Sequence, residues 1–186
     1  MASGGLIPRG TVDSTALERF EAAVLPHLDS AYTLARYLTR DLHDAEDVVQ
    51  EAYLRALRYF GGYRGGDARA WMLAIVRNTF HTWRRRERHQ DEAAEFDEER
   101  HSETVEGEHP GSLLDAALDR ETLERALDRL PMEFREVLVL RELEGMSYKE
   151  IGTVVGVPIG TVMSRLARAR ERLRRALLAG TDADRT

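Results

Sequence analysis

Hydrophobic residues recur at intervals of three and four along most of the 186-residue chain, the spacing that is typical of amphipathic helices. In the first part of the chain this spacing predicts a helix or a broken pair of helices over residues 15–38, which Pro26 would kink or divide. A second helix is predicted to start at Asp41 or Asp44, and a third to span residues 68–86. No segment shows the alternation of a strand, so the predicted fold class is all-α.

The second part of the chain has the pattern of a helix-turn-helix. Pro131 marks the end of one predicted helix and the start of the next. Ser147 followed three residues later by Glu150 is a capping box, which predicts a short helix at this point. A turn over residues 156–158 then leads into a longer amphipathic helix over residues 159–178. A short helix, a tight turn and a longer helix in this order are the outline of a DNA-binding motif.

An acidic segment separates two arginine-rich regions. The net charge is −6, which by itself argues against nucleic-acid binding, but the arginines cluster at residues 84–88 and 165–175. Residues 91–108 are mostly acidic and have no hydrophobic periodicity, which is typical of a flexible linker. We therefore predict two small helical domains joined by a flexible acidic linker: a disordered tail over 1–14, a first domain over 15–88, the linker over 89–113, a second domain over 114–179 and a tail over 180–186.

Several classes of function have no support in the composition. The chain has no cysteine, so disulfides, thiolate metal sites and thiol redox sensors are excluded. The histidines and acids show no metal-ligand spacing, and no nucleophile or general-base motif is present. We expect no catalytic residue, no metal, no cofactor and no small-molecule substrate. Without a transmembrane segment or a signal peptide, we also expect no membrane insertion and a cytoplasmic location.

Aromatic and basic residues are interleaved in the first predicted domain. Trp71 and Trp83 lie at helical spacing, and we interpret them as core residues. Tyr63 lies in a loop with four glycines over residues 61–66, where its ring would be free to stack on a base. The basic neighbours of these aromatics suit the phosphates of a single strand.

The last predicted helix carries hydroxyl and guanidinium groups opposite its apolar face. These side chains could reach phosphates and base edges in a major groove; they belong to Thr161, Ser164, Arg165 and Arg168. The alternative is a solvated charged face. A comparable choice exists on the second helix, where Asp44, Asp47 and Glu51 could favour the helix dipole or bind a metal, and where we prefer a protein-docking face.

Three groups of motifs resemble the extracytoplasmic-function sigma factors of the sigma-70 family. Residues 44–53, DAEDVVQEAY, resemble region 2.2 of that family. Residues 63–66, 70–72 and 77–79 resemble regions 2.3 and 2.4, and residues 130–138, 144–151 and 158–166 resemble region 4. The segments occur in family order from Leu17 to Leu178, which is more specific than one helix-turn-helix.

The resemblance implies an alternative sigma factor that binds core RNA polymerase and promoter DNA, acts in a stress or envelope/redox response and is controlled by an anti-sigma factor. Polymerase binding, to the clamp helices, is implied for Asp44, Asp47, Gln50 and Glu51, and the flap would take region 4. Recognition and melting of the minus-ten element are implied for Tyr63, Arg64, Arg77, Asn78 and Arg84. The minus-thirty-five element would be read by Thr161, Ser164, Arg165 and Arg168. Alternatives are a helix-turn-helix regulator outside the sigma factors and a helical adaptor.

Overall fold

The structure, a computed structural model, describes residues 14–94 and 122–183, and within these ranges it contains helices and no strand. The helices in chain order are α1 Ser14–Val24, α2 Leu28–Thr39, α3 Leu42–Tyr59, α4 Ala68–Ala94, α5 over 122–128, α6 Met132–Leu138, α7 Tyr148–Val155 and α8 Ile159–Ala183. Short turns of 3-10 helix at Leu25–His27 and Phe60–Gly62, and a π-helical turn at Val139–Leu143, extend or connect them. The all-α prediction is confirmed.

The helical segment predicted over residues 15–38 is divided at Pro26, as its sequence indicates. Pro26 lies in the 3-10 turn between α1 and α2, where its missing backbone N–H costs no α-helical hydrogen bond. Helix α3 begins after Asp41, whose side chain accepts a hydrogen bond from the backbone N–H of Asp44 at 2.9 Å. Of the two predicted start residues, Asp41 is therefore the N-cap.

The predicted capping box and turn form the helix-turn-helix. The Ser147 hydroxyl accepts from the backbone N–H of Glu150 at 3.3 Å, and the Glu150 carboxylate accepts from the backbone N–H of Ser147 at 2.6 Å. These hydrogen bonds hold the pKa of Glu150 below its usual value. Gly156 then ends α7 with a φ of 70°, a left-handed conformation that glycine adopts without strain.

One continuous core joins the two halves of the chain. Helices α2, α3 and α4 pack against one another in the first half, and α6, α7 and α8 do so in the second. Between the halves, α4 packs along α7, and α2 packs on α6. The buried residues of both halves form a single hydrophobic cluster, so the second half covers part of the surface of the first.

Helix α4 is longer than its sequence periodicity indicates. It continues to Ala94, beyond the predicted end near Arg86 and into the predicted linker. Residues 87–94 contain no glycine or proline and are rich in helix-forming Glu, Arg, Gln and Ala, so backbone propensity continues the helix after its apolar face ends. The remainder of the predicted acidic linker lies outside the described residues, as do residues 1–13 of the tail predicted over 1–14 and the last three residues of the tail predicted over 180–186. The other tail residues are helical, since Ser14 begins α1 and α8 continues to Ala183.

The tight turn between α7 and α8 predicts an asymmetry between two helical glycines. A Cβ on Gly152 would lie 3.0 Å from the backbone carbonyl of Val157, whereas a Cβ on Gly160 would meet nothing within 4 Å. We expect Gly152→Val to lower the free energy of unfolding by about 1–3 kcal/mol through overpacking. Gly160→Ala should be neutral or slightly stabilising. Urea unfolding of both variants measures this, and equal effects would contradict the close approach.

Candidate nucleic-acid interface

Helix α3 presents a polar face that no other described helix covers. Asp47 and Gln50 are exposed, and Asp44 and Glu51 are half-buried at its edges. Glu51 accepts from the Nε of Arg55 one turn on, at 2.7 Å. Burial and the nearby carboxylates of Asp41, Glu87 and Asp47 raise the pKa of Asp44.

The same face contains an apolar residue that the sequence reasoning missed. Leu54 is 60% exposed and lies one turn after Gln50, although it has the type of residue that a helix normally buries. The exposure of Leu54 could have been predicted from the sequence, because this leucine falls outside the apolar face that the alanines and valines of α3 form. Acids, an amide and an exposed leucine on one face are suited to a partner protein. No group of three potential metal ligands is present in the described part of the chain, which leaves the metal alternative without support there.

Tyr63 lies in an aromatic cluster at the start of α4. Its ring stacks on Phe60, with centroids 5.6 Å apart, and lies 4.9 Å from the ring of Trp71. The Tyr63 hydroxyl donates to the carbonyl of Gly66 at 2.8 Å. Tyr63 is thus held half-buried by the loop, with Arg64 exposed beside it. Trp71 and Trp83 pack against the core, as predicted.

The other predicted minus-ten residues differ in their surroundings on α4. Asn78 and Arg84 are exposed, and an Arg84 guanidinium nitrogen lies 3.5 Å from the sulfur of Met132. Arg77 instead points at the second half of the chain. It donates to both carboxylate oxygens of Glu136, from Nε at 2.7 Å and from Nη2 at 3.2 Å.

The predicted minus-thirty-five residues occupy the first turns of α8. Ser164 and Arg168 are exposed, and the Ser164 hydroxyl donates to the carbonyl of Thr161 at 3.0 Å. Thr161 is half-buried. Arg165 faces inward rather than lying on a solvated stripe, and its Nη1 lies 3.4 Å from a carboxylate oxygen of Glu136.

Glu136 therefore binds one arginine predicted for each promoter element. Its side chain is 1% exposed, and it receives Arg77 from α4 and Arg165 from α8. A buried carboxylate without partners would be strongly destabilising, so the two guanidinium groups are what allow an acid at this place. Nothing in the sequence pattern marks Glu136, because it lies in a predicted helix at a position that an apolar residue could equally fill.

The four ion pairs described between the two halves have the same polarity. The first half supplies an arginine each time and the second half a carboxylate: Arg36 with Glu124 at 2.5 Å, Arg40 with Asp128 at 3.8 Å, Arg69 with Glu144, and Arg77 with Glu136 at 2.7 Å. We call this set the interdomain ion pairs. Carboxylates on the second half thus occupy arginines that could otherwise bind phosphate.

Two family models match the chain. The model described as sigma-70 region 2 matches residues 23–90, and the one described as sigma-70, region 4 matches residues 120–173. The first contains the α3 face and the aromatic loop, and the second contains the helix-turn-helix. Within the described ranges, no helix is long and apolar enough to cross a bilayer.

Curated relatives and solved structures agree with these matches. The chain is 38% identical to the ECF RNA polymerase sigma factor SigE of Mycolicibacterium smegmatis over 92% of its own length and 66% of that protein's. It is 36% identical to the RNA polymerase sigma-H factor of Pseudomonas aeruginosa, covering 85% of this chain and 86% of that one. A structure of the sigma factor RpoE in complex with the anti-sigma factor NepR from Bartonella quintana superimposes with a TM-score of 0.72, 28% identity and coverage of 86% and 97%.

The paired arginines predict a stability effect at Glu136. We expect Glu136→Gln to lower the free energy of unfolding by about 1–3 kcal/mol, because two guanidinium groups lose their carboxylate at a largely dry contact. The matched control is Glu142→Gln, whose pair with Arg170 is about half exposed on both sides and should contribute less than about 1 kcal/mol. Urea unfolding distinguishes them, and equal losses would show that burial of Glu136 adds nothing.

Proposed function

Because the chain belongs to the sigma-70 family, in its extracytoplasmic-function group, we propose that it binds core RNA polymerase and directs it to specific promoters. The first half would provide polymerase docking and minus-ten recognition, and the second half minus-thirty-five recognition. We also propose the boundary between these domains near residues 89–113. The single observation that carries the division of roles is the pair of matched regions, one on each half of the chain.

The α3 face supports the polymerase contact. It combines the exposed Asp47, Gln50 and Leu54 on a helix whose opposite side is fixed by buried Ala45 and Ala52. A rigid helix that presents acids around an exposed leucine offers a partner both charge complementarity and an apolar anchor. This face stays open while the two halves are packed together, so docking on polymerase does not require them to separate first.

Promoter reading requires a change of arrangement. Arg77 and Arg165 bind the same carboxylate, whereas elements two turns of duplex apart are separated by about 70 Å. The chain therefore cannot use both arginines on one promoter in the packed arrangement. We infer that binding to polymerase separates the halves, which frees Arg77 beside Asn78 for the minus-ten strand and Arg165 beside Arg168 for duplex DNA.

Control by an anti-sigma factor is part of the proposal. The Bartonella relative was crystallised with such a partner, and the chain covers 86% of its own length in that comparison. A protein that holds the two halves in the packed arrangement would keep Arg77 and Arg165 on Glu136. The inducing signal would then act by releasing that protein.

A helix-turn-helix regulator that acts without polymerase is the second candidate. The structure gives it the same α7 and α8, and Ser164 and Arg168 would serve it equally well. It provides no role for the exposed α3 face or for the match over residues 23–90. Footprinting of free protein on its own promoters distinguishes the two, since a regulator protects an operator without polymerase.

Reversing the charge of the α3 face tests the polymerase contact. We expect Asp47→Arg with Glu51→Arg to reduce affinity for core polymerase by about 100-fold or more, because like charges would face the partner surface. Melting temperature should change little, since neither side chain is buried. The control reverses two exposed acids on α1, Glu18→Arg with Glu21→Arg. Wild-type affinity in the first variant, or equal loss in both, would refute the assignment.

Separation of the halves can be measured with dyes, because the chain has no native cysteine. Arg85→Cys on α4 and Ala167→Cys on α8 place labels at exposed positions near the two arginines of Glu136. We expect efficient energy transfer in the free protein and a large decrease when core polymerase binds. Energy transfer that stays efficient in a polymerase complex that is active on a promoter would contradict the proposed separation of the two halves.

A further inference from the structure

A cleft of about 510 Å³ lies where the two halves meet. The end of α2, the middle of α4 and the start of α6 form its walls. Its basic lining consists of Arg40, Arg84 and Arg135, with the aromatic ring of Trp83 beside them. Glu133, which is exposed, is the carboxylate in the lining. The first two arginines come from the first half and the third from the second half.

Arg135 is buried more deeply than a cation normally is. It is 3% exposed, and its Nε has no hydrogen-bond partner. Its Nη1 donates to the Asp128 carboxylate at 3.3 Å, and Asp128 also forms an ion pair with Arg40 at 3.8 Å. Burial, together with the nearby charges of Arg40 and Arg84, lowers the pKa of Arg135 to about 10, and Asp128 opposes this shift only in part. The carboxylates present therefore leave this buried charge under-compensated.

Arg40 adopts a backbone conformation that disfavours its own residue type. It is the C-cap of α2 with a φ of 67°, and it is the one non-glycine residue with positive φ in the described chain. Glycine is the usual residue at such a helix end, because a Cβ there is strained. The local backbone thus favours glycine, while the chain places a guanidinium at the mouth of the cleft. Strain of this kind is found where a side chain has a use.

Arg84 completes the cluster without an acidic partner. Its guanidinium contacts the Met132 sulfur at 3.5 Å, and among the described residues no carboxylate lies within ion-pair distance of it. Arg84 is exposed, so it can rotate over the cleft. Three arginines therefore line one cavity. Asp128 pairs with Arg40 and Arg135, and no described acid pairs with Arg84.

We propose that this cleft binds a small polyphosphate anion, of the class of inorganic pyrophosphate or a nucleoside diphosphate. Guanidinium groups bind phosphate oxygens through paired, charge-assisted hydrogen bonds, and a diphosphate can engage several of them at once. The volume exceeds that of a single phosphate and is within the range of small-molecule sites, and the Trp83 ring offers a nucleoside a surface to stack on.

The bound anion would hold the two halves together. Arg40 and Arg84 belong to the first half and Arg135 to the second, so the complete cleft exists in the packed arrangement alone. A ligand that binds one arrangement shifts the equilibrium towards it. This consequence rests on the proposed function, whereas the binding itself does not.

Titration calorimetry on the full chain tests the binding, with inorganic pyrophosphate in one arm and ADP in the other. We expect saturable binding at one site and a higher melting temperature with ligand. Arg40→Gly should weaken binding about tenfold through the loss of a charge-assisted contact, while its melting temperature without ligand is not lowered, because glycine relieves the strained φ. Tighter binding of ADP than of pyrophosphate would identify the ligand as a nucleotide. Equal binding of the two would identify it as an inorganic anion.

Two further variants separate the cleft from general surface charge. Arg84→Gln should weaken binding as Arg40→Gly does, whereas Arg174→Gln, an equal change of charge on an exposed part of α8, should not. The proposal is overturned if neither pyrophosphate nor ADP binds, or if all three variants weaken binding equally. It is also overturned if the cleft arginines bind duplex DNA but no diphosphate. Cleft variants that bind polymerase with the affinity of the wild-type chain but no longer bind the anion would leave the proposed function intact. Failure of the anion site and failure of the proposed function are therefore distinguishable.

Discussion

The packed arrangement depends on one buried carboxylate. Glu136 would be costly in a core by itself, and it is tolerated because Arg77 and Arg165 neutralise it from two different helices. A charge with two partners on separate elements fixes where those elements lie relative to each other. The position of α4 against α8 is therefore set by an electrostatic requirement as well as by apolar burial.

The same contact bears on how a chain with a net charge of −6 can carry the arginines proposed to bind DNA, because it pairs Arg77 and Arg165 with a carboxylate. In the interdomain ion pairs, carboxylates of the second half take the position that phosphates would take. Phosphate and carboxylate compete for the same guanidinium geometry, so under the proposed function separation of the halves and exposure of Arg77 and Arg165 would be one event. The α3 face takes no part in these ion pairs, so the proposed polymerase contact does not compete with them.

The arginines at the junction divide into satisfied and under-compensated groups. Arg36 and Arg69 each have a carboxylate of their own, and Arg77 shares the buried Glu136 with Arg165. Arg40 and Arg135 share Asp128, and among the described residues no carboxylate pairs with Arg84, which leaves an excess of positive charge around one cavity. Cations at such close quarters are unfavourable unless an anion joins them, and that is the physical reason for assigning the cleft a ligand rather than a structural role.

The sequence by itself determined the fold class and most helix starts, because helix periodicity, the Ser147–Glu150 cap and the break at Pro26 are local properties of the chain. It also placed Asp47, Gln50, Ser164 and Arg168 on solvent-facing sides, since the apolar residues of a helix fix which side is opposite. It did not reveal that Arg77 and Arg165 share Glu136, nor that Arg40, Arg84 and Arg135 meet at a cleft. Those groupings join residues far apart in the chain, and helix periodicity says nothing about which charged side of one helix will face another. Only the packing of the two halves decided that, because a long-range ion pair depends on where whole helices come to lie.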